Sequence, residues 1–164
     1  MKKLAIAFTG PSNSGKTTLI EKISLSLQNK LKIAIIKHDP KDKAIFDKEG
    51  KDSDKFFKTG ADVAVLSPKR TTIFKHSAMS IDEVIECFGN FDLLMVEGLK
   101  ELPLPRIGVF RGKIDKSYLP YIIAVAVDET IQKEELKDLN VDILDLNNIE
   151  QITNYILKKA KVIQ

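Results

Sequence analysis

Leu4-Ala5-Ile6-Ala7-Phe8-Thr9-Gly10-Pro11-Ser12-Asn13-Ser14-Gly15-Lys16-Thr17-Thr18 is the stretch whose reading decides the fold. Its first six residues form an apolar run of strand length. Residues 10–17 then fit G-x-x-x-x-G-K-[ST], and Leu19, Ile20, Ile23 and Leu27 follow at helical spacing. A strand, a glycine-containing turn and a helix, in that order, are the context in which this pattern cradles phosphate. Glycines permit backbone angles that turn successive N–H groups inward, and they let phosphate oxygens approach the main chain. The helix start adds unpaired N–H groups and the positive end of its dipole. Lys16 supplies a mobile charge for the β- and γ-phosphates, and Thr17 offers a hydroxyl to Mg²⁺, which prefers oxygen ligands shared with the nucleotide. Thr18 is read as facing the α-phosphate. Gly10, Pro11, Ser12, Asn13, Ser14, Gly15, Lys16, Thr17 and Thr18 are therefore the expected nucleotide contacts.

The rest of the chain carries the same alternation. Strand-length apolar runs at 4–9, 32–37, 63–67, 71–75, 93–96, 107–110, 122–127 and 142–144 are interleaved with helical periodicity at 17–28, 81–88 and 149–159. Two shorter helical segments are read at 53–58 and 131–137. Ser80, with Glu83 three residues on, forms a capping box for the second helix. The near-continuous Ile, Val, Leu and Ala of the strands point to coverage on both faces. The fold class that follows is α/β: a P-loop nucleotide-binding fold with a mostly parallel twisted sheet flanked by helices, and with room for antiparallel edge strands. At 164 residues, with no repeat or Pro/Gly/Ser-rich linker, the chain is read as a single nucleotide-binding domain over 1–164.

Composition narrows the function classes. The chain is 43% hydrophobic and 30% charged, with 26 Lys plus Arg against 23 Asp plus Glu and a net charge of +3. Interspersed signs argue against nucleic-acid coating. Cys87 is the single cysteine, which precludes an internal disulfide and a multi-cysteine metal site. It is read as a buried small hydrophobe on the apolar face of its helix. Lys2 and Lys3 precede an apolar run too short for a secretion signal, and no run approaches a membrane span. The expectation is a cytoplasmic chain.

A second acidic partner for the phosphates belongs at the carboxyl end of a neighbouring strand, where ligands bind in open α/β sheets. Asp92 and Glu97 flank the strand at 93–96. At about 3.3 Å per residue they stand roughly 16 Å apart, so only one reaches the phosphates. Glu97 has the carboxyl-end position and is assigned to Mg²⁺ or its water shell; Asp92 is a strand-start residue. The same rule delivers Lys37 and His38 to the rim, followed by a long loop rich in Lys and Asp that leads to Asp52 and Ser53. Loops of that length in compact domains tend to be functional. Lys100 and Arg106, on the next carboxyl-end loop, are further candidate anion contacts. His76 is read as a surface residue.

These residues resemble one family in particular, the MobB-type molybdopterin-guanine dinucleotide biosynthesis adaptor proteins. The resemblance rests on residues 10–18, on Ile36-Lys37-His38, on Gly50-Lys51-Asp52-Ser53 and Gly60-Ala61, on Val96-Glu97-Gly98-Leu99-Lys100, and on Arg106-Ile107-Gly108-Val109-Phe110-Arg111. It implies a homodimer that binds GTP and Mg²⁺, hydrolyses GTP weakly, and assists the guanylyltransferase that attaches GMP to molybdopterin. Lys16 and Glu97 would then be the groups engaged in chemistry. The histidine-rich stretch common in the family after Lys-His reads here Asp39-Pro40-Lys41-Asp42-Lys43. No Asn-Lys-x-Asp signature of guanine-reading GTPases is present, and Asp128, at the end of the 122–127 strand, is the candidate base contact. Two other classes fit the same residues: a small-molecule kinase whose Lys/Asp-rich loop closes over a second substrate, and a nucleotide-gated interaction module without turnover. For dimerisation, 71–74 is read as an edge strand available for pairing.

Overall fold

The computed structural model describes residues 2–163. Two compact units are formed, Met1–His38 with Asn90–Gln164, and Asp39–Gly89.

The larger unit is built on a seven-stranded sheet among the described residues. Its strands are β1 (Lys3–Thr9), β2 (Ile33–Lys37), β5 (Leu93–Glu97), β6 (Arg106–Phe110), β7 (Ala124–Val127), β8 (Asp142–Asp145) and β9 (Lys161–Ile163). The order is β2-β5-β1-β6-β7-β8, every neighbour in that series parallel. β9 runs antiparallel to the first half of β1, with Lys3 opposite Ile163, while β6 pairs with its second half. Three residues of Lys-Val-Ile are too short a run for periodicity to register, so this strand has no counterpart in the sequence reading.

Helices α1 (Lys16–Leu27) and α5 (Ile149–Lys159) cover one face. Their Leu19, Ile20, Ile23, Ile152 and Ile156 pack with Ile6, Phe8, Leu93, Met95, Ile107 and Val109. A second cluster joins Phe110, Val125 and Val127 to Ile114, Ile122 and Ile131. Phe8 and Val109 thus face one cluster and Phe110 the other, as the alternation of a strand requires. The start of β5 is tied to that of β2 by Asp92, whose carboxylate accepts the Lys32 amide at 2.8 Å, the strand-start role read from sequence. The short helix α4 (Lys133–Lys137) lies within the 131–137 segment.

In the smaller unit, β3 (Val63–Leu66) and β4 (Thr71–Phe74) form an antiparallel two-stranded sheet beside α2 (Asp52–Lys58) and α3 (Ile81–Cys87). The Ser80–Glu83 capping box is present, each residue's side chain meeting the other's backbone. Two expectations fail here. β3 and β4 are largely exposed rather than covered on both faces, because a two-stranded ribbon offers too little area to be buried twice. Cys87 is exposed, since α3 is a seven-residue helix with no buried residue. His76 is at the surface as read, its ring stacked 3.9 Å from that of Phe57 and its Nε2 3.0 Å from the Phe57 carbonyl.

Ile23 is fully buried between helix and sheet. Ile23→Ala is expected to cost about 3 kcal/mol in urea unfolding followed by circular dichroism. A loss under about 1 kcal/mol would contradict this packing.

Candidate functional site

The turn between β1 and α1 is shaped by its backbone. Gly10 has φ +142°, and a Cβ there would stand 2.3 Å from the Val109 carbonyl oxygen on β6. Gly15 has φ +96° and caps α1 without any side-chain hydrogen bond to the first amides, and no acid occupies the first turn. The N–H groups and dipole of this end are thereby left to an anion. Ser14 is buried inside the loop, whereas Thr17 and Thr18 are exposed.

Two parallel registers bring the remaining groups alongside. Phe8 and Lys37 both stand opposite Glu97, so the carboxyl ends of β1, β2 and β5 come level. The resulting cleft, about 610 Å³, is lined by Ser12, Asn13, Gly15, Lys16, Thr17 and Thr18 from the loop and helix, with Lys37, Glu97 and Arg111. Thr17 donates its hydroxyl to Glu97 Oε2 at 3.4 Å. Lys16 Nζ donates to the carbonyls of Gly10 (3.0 Å) and Pro11 (2.6 Å). Burial lowers the Lys16 pKa, Glu97 raises it and Lys37 lowers it further.

The other predicted contacts are distributed differently. Lys37 lines the cleft; His38 does not, although its amide donates to the Glu97 carbonyl at 3.0 Å and its Cβ lies against Gly98. Lys100 is not in the cleft either, its Nζ lying 4.2 Å from the centroid of the Tyr118 ring. Asp52 and Ser53 belong to the smaller unit, at the start of α2, where Asp52 pairs with Lys55 at 3.8 Å.

Arg106 corrects the sequence reading outright. It is 1% exposed, and its guanidinium donates to the carbonyls of Gly98 (2.7 Å), Leu99 (2.8 Å) and Leu102 (3.3 Å). A strand-start arginine pointing inward braces the loop that follows Glu97 instead of meeting a ligand. Its pKa is lowered by burial, with Glu101 opposing.

Asp128 is also engaged within the protein. One oxygen accepts the Thr130 amide and hydroxyl, the other pairs with Arg111 Nε at 3.3 Å, and the side chain is 8% exposed. Three contacts within the protein thus hold this carboxylate. Arg111 itself is the residue the sequence reading missed. The signal was available, because Arg111 directly follows the carboxyl end of the strand beside β1.

Several outcomes follow from this geometry. Gly10→Ala is expected to weaken triphosphate binding by about tenfold or more, since relieving the contact with Val109 requires the loop to shift at a strain of about 1–3 kcal/mol. Unchanged affinity would contradict the loop geometry. Phosphate favours the charged form of Lys16, so affinity is expected to stay level below the lowered Lys16 pKa and to fall as pH rises through it. Calorimetry across the alkaline range checks this; affinity that rises with pH would contradict it.

Known proteins similar to this chain include several of one description. Residues 5–128 match the family model described as "Molybdopterin guanine dinucleotide synthesis protein B". The molybdopterin-guanine dinucleotide biosynthesis adapter protein of Haemophilus influenzae is 33% identical over 161 residues, covering 92% of this chain and 86% of that protein. The protein of the same description from Escherichia coli is 28% identical over 170 residues, covering 93% of this chain and 91% of that one. The solved structure of Bacillus subtilis MobB has the same fold, with a TM-score of 0.75 at 24% identity, over 96% of this chain and 98% of that one.

Proposed function

This chain belongs to the MobB family, and from that premise we propose that it is a GTP-binding, weakly GTP-hydrolysing accessory protein of molybdenum cofactor biosynthesis. Its partner is the guanylyltransferase that converts molybdopterin to the guanine dinucleotide, acting in the cytoplasm. The supporting observation is the convergence of Lys16, Thr17 and Glu97 on one cleft at the mouth of an uncapped helix, in a chain whose relatives carry guanine dinucleotide synthesis in their description.

The donor set fits Mg²⁺. Thr17 and Glu97 present a hydroxyl and a carboxylate oxygen 3.4 Å apart, and Mg²⁺ takes one or two such protein ligands together with phosphate oxygens and waters. Bound there, the ion would neutralise charge on the β- and γ-phosphates. Lys16 adds its charge to the same oxygens from the loop side, and the α1 amides hold the phosphates in place. Slow turnover follows from a cleft of cations, hydroxyls and one carboxylate: it binds and neutralises a triphosphate, while orientation of the attacking water is left to a partner.

A homodimer is part of this proposal. The smaller unit exposes Ile45 (88%), Phe46 (85%) and Leu66 (77%), apolar side chains that a second copy would cover.

Titration calorimetry with Mg²⁺ is expected to show GTP bound more tightly than ATP, and Lys16→Ala to abolish GTP binding. Equal or stronger ATP binding would remove the guanine assignment; undiminished affinity in the variant would remove the phosphate-loop assignment. Light scattering is expected to give the mass of a dimer, and a monomer's mass would contradict the assembly.

A further inference from the structure

Arg111 stands just beyond β6, between two depressions: the cleft already described, and a second of about 810 Å³ whose lining includes Pro11, Arg111, Ile114 and Glu135. Its guanidinium lies over the phosphate loop. A Cβ placed on Gly15 would be 3.4 Å from Arg111 Nε and 3.6 Å from Nη2. Only half the side chain is exposed, and it is held by a closed ring of contacts. Arg111 Nε pairs with Asp128 Oδ2 at 3.3 Å. Asp128 Oδ1 accepts the Thr130 hydroxyl, and that hydroxyl accepts the amide of Gly112, the residue after Arg111, at 2.7 Å.

An arginine that merely solvates a surface has no need of this brace. A lone exposed ion pair contributes little, because two long side chains must be immobilised in high dielectric. Here one partner is a carboxylate whose side chain is 8% exposed and held by two further hydrogen bonds, so it offers Arg111 a fixed anchor. The brace occupies Nε alone. Among the described residues, Nη1 and Nη2 have no hydrogen-bond partner, and they form the planar fork that matches phosphate oxygens.

We propose that Arg111 is a phosphate-binding residue of this cleft, acting opposite Lys16, and that Asp128 is its positioning residue, a role that deepens the nucleotide-site reading above and rests on it. Arg111 then supplies the second fixed cation of the site. Asp128 serves the nucleotide through Arg111 instead of through the base.

The test is calorimetric titration of GTP and, separately, of inorganic tripolyphosphate, each with Mg²⁺, into the wild type, Arg111→Ala, Arg111→Lys, Asp128→Asn and the Arg111→Ala/Asp128→Asn double variant. Arg111→Ala is expected to weaken both ligands in parallel by about tenfold or more, the usual size of a lost charge-assisted hydrogen bond. Arg111→Lys should recover only part of the loss, because an ammonium has no fork. Asp128→Asn should weaken both ligands as well, yet add little in the Arg111→Ala background. If Asp128→Asn does not fold, Thr130→Val carries the same comparison through the ring's hydroxyl. Full affinity in Arg111→Ala overturns the proposal, as does a loss confined to GTP, which would make Arg111 a nucleoside contact. Additive losses in the double variant overturn the positioning role. A wild type that binds neither ligand overturns the nucleotide-site reading instead.

Discussion

The backbone of Gly10 passes so near β6 that a single methyl carbon there would stand 2.3 Å from the Val109 carbonyl. That close approach seats the phosphate loop over the sheet's carboxyl edge and fixes what can surround it. β1 pairs with β5 on one side and with β6 on the other, Phe8 opposite Glu97 and Thr9 opposite Gly108. Whatever follows β5 and β6 must therefore flank the loop. On one side that is Glu97 facing Thr17; on the other it is Arg111 over Gly15. The site is a consequence of register and of one glycine.

The interior supports this arrangement with an unusual expenditure of polarity. Most of the core is aliphatic, packed between α1, α5 and the sheet. Among the described residues the buried polar side chains include one cation, Arg106, whose donors meet three backbone carbonyls of the loop after Glu97. Burying such a group is tolerable only because its hydrogen bonds are met. The effect is to fix the backbone through Leu99, which holds φ +48°. Lys16 shows the complementary cost: burial disfavours its charged form, whereas an anionic phosphate beside it favours that form.

Much of this was legible in the sequence because the governing periodicities are local. The strand, loop and first helix, the Ser80 capping box and the placement of Glu97 at a strand's carboxyl end all follow from spacing within a few residues. Directions of side chains are not local. Arg106 and Arg111 sit on one strand and its exit, five positions apart, yet one points into the interior and the other over the loop, a difference that parity and tertiary packing decide. Asp128 stands at a strand end as read; its contacts with Thr130 are local, but its partner Arg111 is visible only once β6 and β7 lie side by side. The exposure of Cys87 has the same origin, since an apolar stripe says where a helix could pack and the short α3 buries none of it.

Loop, helix and Glu97 together are proposed to hold a magnesium nucleotide. The most direct test is a crystal structure of the protein with Mg²⁺ and a non-hydrolysable GTP analogue. The β-phosphate is expected among the amides of residues 13–17, with Thr17 and Glu97 as the residues that would hold the metal. A triphosphate bound elsewhere on the chain, or a metal distant from both Thr17 and Glu97, would contradict this.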